Sequence, residues 1–124
     1  MKVPHIKIKP PGPRAQEVID RDHLYTAPAY GRVYPLVVKE GKGMAIEDVD
    51  GNLYLDFTAG IAVASTGHAH PRVVQAIEEQ ARRFLHFCGS DFYYAPMAEL
   101  AEKLCRLAPG ASPKKVFLTN SGTE

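Results

Sequence analysis

Between residues 36 and 57, apolar positions gather in three short runs, 36–39, 44–48 and 53–57. Between them lie the turn-forming stretches 40–43 and 50–52. Short apolar runs bounded by turn residues read as strands, and Asp50-Gly51 between such runs is a hairpin signal, so the region reads as a small antiparallel meander. Further along the period changes. Val74, Ile77, Ala81 and Phe84 recur at helical spacing after Pro71, and Met97, Leu100, Leu104 and Leu107 do the same after Pro96, with Pro109-Gly110 as a stop. Four acid–base pairs, Glu78–Arg82, Glu79–Arg83, Glu99–Lys103 and Glu102–Arg106, lie on the polar faces in the favourable order. A shorter helix is predicted from Pro13 to about His23, where Pro occupies the first turn.

The remaining stretches are less regular. Residues 24–35 mix Tyr25, Tyr30 and Tyr34 with Pro28, Gly31 and Pro35, and residues 58–70 are rich in Gly, Ala and His. Residues 115–119 carry an unalternating apolar run, Val116-Phe117-Leu118, after two lysines, which predicts a strand covered on both faces. The predicted order is an extended arm and short helix (1–35), a meander with two helices (36–111), and the start of a second domain (112–124), with its boundary near Ser112.

Composition narrows the class. The 124 residues are 45% hydrophobic and 23% charged, as in an ordinary soluble protein. A net charge of +1 offers no electrostatic case for nucleic acid or for an anionic membrane. The Pro-rich basic start (Lys2, Lys7, Lys9, Arg14) lacks the aromatics of a nucleic-acid tail and is followed by no signal-peptide core. The longest apolar stretch, 57–64, is far too short to span a bilayer. Cys88 and Cys105 form no disulfide framework and read as reduced cytoplasmic thiols.

Five places carry candidate chemistry. Asn120-Ser121-Gly122-Thr123 follows the last predicted strand: the hydroxyls of Ser121 and Thr123, the close approach allowed by Gly122 and the N–H groups of a first helical turn suit a phosphate. An ordinary helix N-cap would use the same residue types. The helix that such a turn should open is missing, which suggests a fragment. Gly67-His68-Ala69-His70-Pro71 resembles a metal site, but no completing ligand set lies nearby, and a tight turn with His70 capping the next helix serves as well. The small-residue loop Gly60-Ile61-Ala62-Val63 is either a substrate wall or apolar filling. Ser90-Asp91-Phe92-Tyr93-Tyr94 is aromatic for a connection and packs over a ligand or against another subunit. Asp56 closes a strand as a capping acid or a solvent-facing one, with no second carboxylate at useful spacing.

Taken together, these blocks resemble a family. Residues 43–57, their continuation 58–63, the run 67–71, Pro96-Met97-Ala98-Glu99-Leu100 and Asn120-Ser121-Gly122-Thr123-Glu124 are similar, in order and spacing, to the amino-terminal part of class III aminotransferases. That group includes 4-aminobutyrate, acetylornithine and ornithine aminotransferases, which are pyridoxal 5'-phosphate enzymes of fold type I. The resemblance covers roughly 35–124, and more weakly 12–34. It implies an α/β chain comprising the amino-terminal part of the small domain and the first strand of the large, cofactor-binding domain.

The resemblance also implies that Ser121, Gly122 and Thr123 hold the cofactor phosphate, that Ile61 lines the substrate pocket, and that Asp91, in a more variable stretch, touches substrate. It implies no metal. The Schiff-base lysine of the family matches none of lysines 2, 7, 9, 39, 42, 103, 114 and 115, so no catalytic residue is assigned and this chain alone is expected to be inactive. The expected whole is a cytoplasmic homodimer that moves an amino group from an amino acid to a 2-oxo acid such as 2-oxoglutarate. Two alternatives stay open: an amino-acid racemase or epimerase on the same fold, and a non-enzymatic phosphate-binding module.

Overall fold

The structure, a computed structural model, describes residues 3–123. They fall into two compact units, Met1–Glu79 and Gln80–Glu124.

The first unit is built on a three-stranded antiparallel sheet in the order β1-β2-β3: Val38–Lys42, Ala45–Asp48 and Leu53–Leu55. The predicted meander is therefore present, with its first turn displaced. Residues 40–42, expected in the turn, belong to β1, where Gly41 faces Ile46 and Lys42 faces Ala45. The chain reverses instead at Gly43-Met44. Gly43 takes a positive φ of 59°, which suits the first central position of a two-residue hairpin loop. β3 also stops short of the expected Phe57: Asp56 N–H still donates to Met44 O, opposite it in register, and beyond this bond the chain turns into the loop that the Asp56 side chain serves.

A buried polar knot ties the start of the chain to this sheet. Asn52 is 0% exposed and Asp48 2%. Asn52 Oδ1 accepts from the N–H groups of Lys7 and Ile8 at 2.7 and 2.9 Å, while its Nδ2 donates to Ile8 O and to Asp48 Oδ2. The Asp48 carboxylate also accepts from Tyr54 OH and from the N–H groups of Asp50 and Asn52. His5 pairs with Leu53 through two backbone hydrogen bonds. The segment expected as an extended arm thus forms an added rung on the sheet.

Helix α1 (Pro13–Tyr25) begins where predicted and runs two residues longer. Its first residue follows Gly12, which has no side chain to cap the free N–H groups. Asp50, from the β2–β3 loop, supplies the cap by accepting from Arg14 N and Ala15 N at 3.0 and 2.9 Å. Gly12 is what permits this approach, since a Cβ there would sit 2.4 Å from Asp50 Cγ.

After β3 comes α2 (Ala59–Ala62), a single turn within the expected loop, and then α3 (Pro71–Ala81). The period-based expectation carried α3 to Phe84. Instead the chain turns over residues 82–84, with Arg83 N and Phe84 N both donating to Gln80 O.

In the second unit α4 runs over Ala95–Leu107 and ends in an extended C-cap at Ala108. Lys114 closes this end, its ammonium group bonding the carbonyls of Ala108 and Cys105, as a cation suits a helix C-terminus. Of the four expected helix-face pairs, Glu102–Arg106 closes at 2.5 Å among the described residues. The apolar faces of the helices remain uncovered: Ile77 is 63% and Leu107 72% exposed.

The strand expected over 115–119 does not form. The described strands all lie within 38–55, and a strand meant to be covered on both faces has no ladder partner among the described residues. Phe117 is left 85% exposed.

Candidate functional site

The terminal turn follows this extended segment. Thr119 Oγ1 donates to Ser121 O at 2.7 Å, and Thr123 N donates to Ser121 Oγ at 3.1 Å. Asn120, Ser121, Gly122 and Thr123 are exposed, and a Cβ built on Gly122 would meet nothing within 4 Å. Two hydroxyls and peptide N–H groups around an open glycine are the donor chemistry of a phosphate site, so the residues fit a phosphate in kind. Glu124, the last residue of the resemblance, lies outside the described residues.

The second feature lies in the first unit and centres on Ile61. Residues Ala59, Gly60, Ile61 and Ala62 take φ values of 48°, 63°, 59° and 61°, so α2 is a left-handed turn. Gly60 adopts this backbone freely. Ala59, Ile61 and Ala62 do not, at roughly 1–2 kcal/mol each, and a β-branched residue there is rare. The turn is closed by Ala62 N donating to Thr58 O and Ala64 N to Ala59 O, both at 2.8 Å. It presents Ile61 outward, 93% exposed.

Asp56 anchors the turn. Its Oδ1 accepts from Thr58 N, Thr58 Oγ1 and Ala59 N at 2.8, 2.8 and 3.0 Å. Its Oδ2 lies 2.6 Å from His68 Nε2, and the Asp56 side chain is only 9% exposed. The His68 ring, then the Thr58 hydroxyl and N–H, hold the Asp56 carboxyl well below the usual carboxylate range. His68 is fixed in turn. Its N–H and C=O bond Gly43 O and N at 2.8 and 3.0 Å, and its ring lies over Gly41, where an added Cβ would come within 2.8 Å of it. The two readings of Asp56 resolve as a capping acid.

His70 does precede α3, and its carbonyl accepts from Val73 N and Val74 N, whereas its buried Nδ1 has no partner among the described residues. Among the described residues no group of three His, Cys, Asp or Glu side chains could hold a metal.

Asp91 sits in the second unit, in the connection between α3 and α4. Its N–H donates to Cys88 O at 3.2 Å, and Ser90 Oγ donates to its Oδ1 at 3.3 Å. The aromatic character of this connection, which raised a ligand or another subunit, is used at least partly within it. Phe84 stands edge-on to Phe87 and Tyr94 at 6.5 and 6.1 Å between centroids, and Phe87 meets Phe92 at 4.7 Å. An open cleft of about 520 Å³ beside it is lined by Gly89, Phe92, Tyr94 and Met97.

Sequence reasoning missed two devices: the Asp48–Asn52 knot and the Asp56–His68 pair. Both leave a trace. In Asp48-Val49-Asp50-Gly51-Asn52 three polar side chains crowd a loop that needs only Asp-Gly to turn, and Asp56 stands two residues before Thr58, the spacing of an Asx turn.

These elements coincide with those of known proteins. A family model for class III aminotransferases matches residues 25–124. The chain is 43% identical over 118 residues to an alanine/serine racemase of Pyrococcus horikoshii, covering 94% of this chain and 25% of that protein. It is 46% identical over 107 residues to an acetylornithine aminotransferase of Methanocaldococcus jannaschii, covering 86% and 25%. The omega transaminase of Pseudomonas jessenii, solved in complex with PMP, aligns with a TM-score of 0.72 at 32% identity over 83% of this chain and 24% of that one. The chain thus spans about a quarter of the length of the curated relatives it matches. With a meander, two helices and a hydroxyl–glycine turn in the family's order, this chain belongs to the class III aminotransferases, pyridoxal-phosphate enzymes of fold type I.

Proposed function

We propose that this chain is the amino-terminal part of a transaminase that moves an amino group from an amino acid of the 4-aminobutyrate, ornithine or acetylornithine type to a 2-oxo acid such as 2-oxoglutarate. The observation that carries the reading is the Ser121-Gly122-Thr123 turn, open at its glycine and lying inside the family match. Ser121 and Thr123 hydroxyls and the N–H groups of Gly122 and Thr123 would hold the cofactor phosphate. When bound, pyridoxal phosphate supplies the electron sink that lets the amino group leave one carbon skeleton and join another. Ile61, carried outward on its left-handed turn, serves as a wall of the substrate pocket, and Asp91 contacts substrate from its own loop.

The uncovered apolar faces of α3 and α4 support a chain that completes its layers with further sequence and with a second copy, as a homodimer. On this reading, residues 36–111 contribute to the small domain and residues 112–124 open the large one. The free thiols Cys88 and Cys105 agree with a reducing cytoplasm.

The test is glutamate formation by the full-length protein, supplied with cofactor, 2-oxoglutarate and each of the three amino donors. Absence of glutamate with every donor sinks the proposal. The 124-residue chain alone is expected to give no turnover. A second reading, racemase or epimerase, is favoured by the 43% identity to an alanine/serine racemase. It predicts inversion of an L-amino acid with no 2-oxo acid present, which chiral chromatography reads directly.

A further inference from the structure

Four consecutive positive φ values at Ala59, Gly60, Ile61 and Ala62 form a backbone that would not persist without support from outside the turn. The support is traceable atom by atom. Asp56 grips the turn's entry with one carboxylate oxygen, through Thr58 N, Thr58 Oγ1 and Ala59 N. The other oxygen faces His68 Nε2 at 2.6 Å, and an ionised carboxylate only accepts, so this ring nitrogen carries the proton. His68 lies beyond the turn's exit and is fixed to the β1–β2 hairpin through Gly43, with its ring against the bare backbone of Gly41. Entry and exit of the turn are therefore cross-braced on the sheet by one side-chain contact.

We infer that Asp56 and His68 are positioning residues which hold the left-handed turn in place and so set where Ile61 stands toward the amino-acid substrate. The inference rests on the reading of Ile61 as a pocket wall. Three side-chain hydrogen bonds fix Asp56 to the turn while one side-chain bond joins it to His68, so His68 is the part whose loss loosens the turn and leaves the meander, including the Asp56–Met44 backbone bond, intact. His68→Leu removes the donor at similar bulk. His68→Gln places an amide N–H near the position of Nε2 and is the conservative replacement.

The experiment uses the full-length protein and reads hydrogen–deuterium exchange of the segment 58–66, which contains the Ala62 and Ala64 amides that close the turn. It also reads KM and kcat for the amino donor. His68→Leu should speed exchange in this segment by roughly tenfold or more, the scale of one lost bond to a charged group, while exchange in β1 and β2 changes little. KM should rise about tenfold with kcat nearly unchanged, because ground-state and transition-state contacts weaken together. His68→Gln should restore most of both. Adding Ala62→Gly to His68→Leu should recover part of the KM, since glycine takes the left-handed backbone without support.

Ile61→Ala separates the two readings. If it changes KM but His68→Leu leaves both exchange and KM as they were, the positioning inference is wrong and the pocket wall stands. If Ile61→Ala leaves KM and donor preference unchanged, the pocket-wall reading fails, and this inference with it. Should His68→Leu not fold, Gly41→Ala, which pushes a Cβ against the His68 ring, gives the same two readouts. Unaltered segment exchange there overturns the inference.

Discussion

Replacing Asn52 by Ala tests the largest claim about how this chain is held together. Asn52 makes four side-chain hydrogen bonds from a fully buried position. Three of them go to backbone groups of Lys7 and Ile8. When released, those groups regain water, so each counts at the low end of the net scale, about 0.5 kcal/mol. The fourth goes to Asp48 Oδ2, whose residue stays buried, and a bond to a charged group is worth about 1.5–3 kcal/mol. The expected loss is about 3–5 kcal/mol, a large share of a small unit's stability.

Urea unfolding followed by circular dichroism gives the stability change, and hydrogen exchange at His5 and Leu53, which bond each other through the backbone, reports whether the start of the chain has come loose. Asn52→Asp is the companion. It keeps the acceptor for Lys7 and Ile8 but loses both donors and sets a second carboxylate against Asp48. It should destabilise at least as much near neutrality and recover partly as the pH falls toward the carboxylate range. A loss below about 1 kcal/mol for Asn52→Ala, with His5 still protected, would refute the account of this knot.

Three further outcomes follow from the same geometry. Gly12→Ala should destabilise α1 by about 1–3 kcal/mol, more than the roughly 1 kcal/mol expected of Asp50→Ala, because its Cβ meets Asp50 Cγ and dislodges the cap as well as adding strain; thermal melts of the two variants compare them. Stability should fall in acid. Burial pushes the Asp48 carboxyl up, but bonds from Asn52, Tyr54 and Asp50 outweigh it and leave it below the ordinary value, and Asp56 is lowered by His68 and Thr58. Both carboxylates therefore contribute fully above about pH 4 and lose that contribution as the pH falls through their folded values, so a melting temperature flat from pH 4 to pH 2 contradicts the assignment. In the full-length protein, Ser121→Ala and Thr123→Val should each weaken pyridoxal phosphate binding about tenfold, the cost of one hydrogen bond to a phosphate, as read by cofactor absorbance on titration. Affinity equal to that of the parent for both variants removes the phosphate assignment.

Most element types were legible in the chain because their signals are local. Short apolar runs, Asp50-Gly51, Pro13, Pro71 and Pro96 each act over a few residues, and they placed the meander and the starts of α1, α3 and α4 to within a residue or two. The errors fell where a decision depended on a distant partner. The first turn moved to Gly43-Met44 because strand register is set by pairing across to β2. β3 ended early because past the Asp56–Met44 bond the chain turns into a loop held by the Asp56 side chain. Residues 115–119 have the composition of a buried strand but no ladder beside them, and composition alone makes no hydrogen bonds.

The chemistry divides along the same line. Hydroxyls and a glycine in the order Ser121-Gly122-Thr123 are a property of the sequence. That Asp50 caps a helix thirty-five residues away, that Asn52 binds the backbone of Lys7 and Ile8, and that His68 reaches Asp56 across a left-handed turn were decided only by the tertiary structure. The physical reason is the same in each case. A side chain's residue type fixes which bonds it can make, but a buried polar group takes whichever partner the fold brings within about 3 Å, and nothing local encodes that distance.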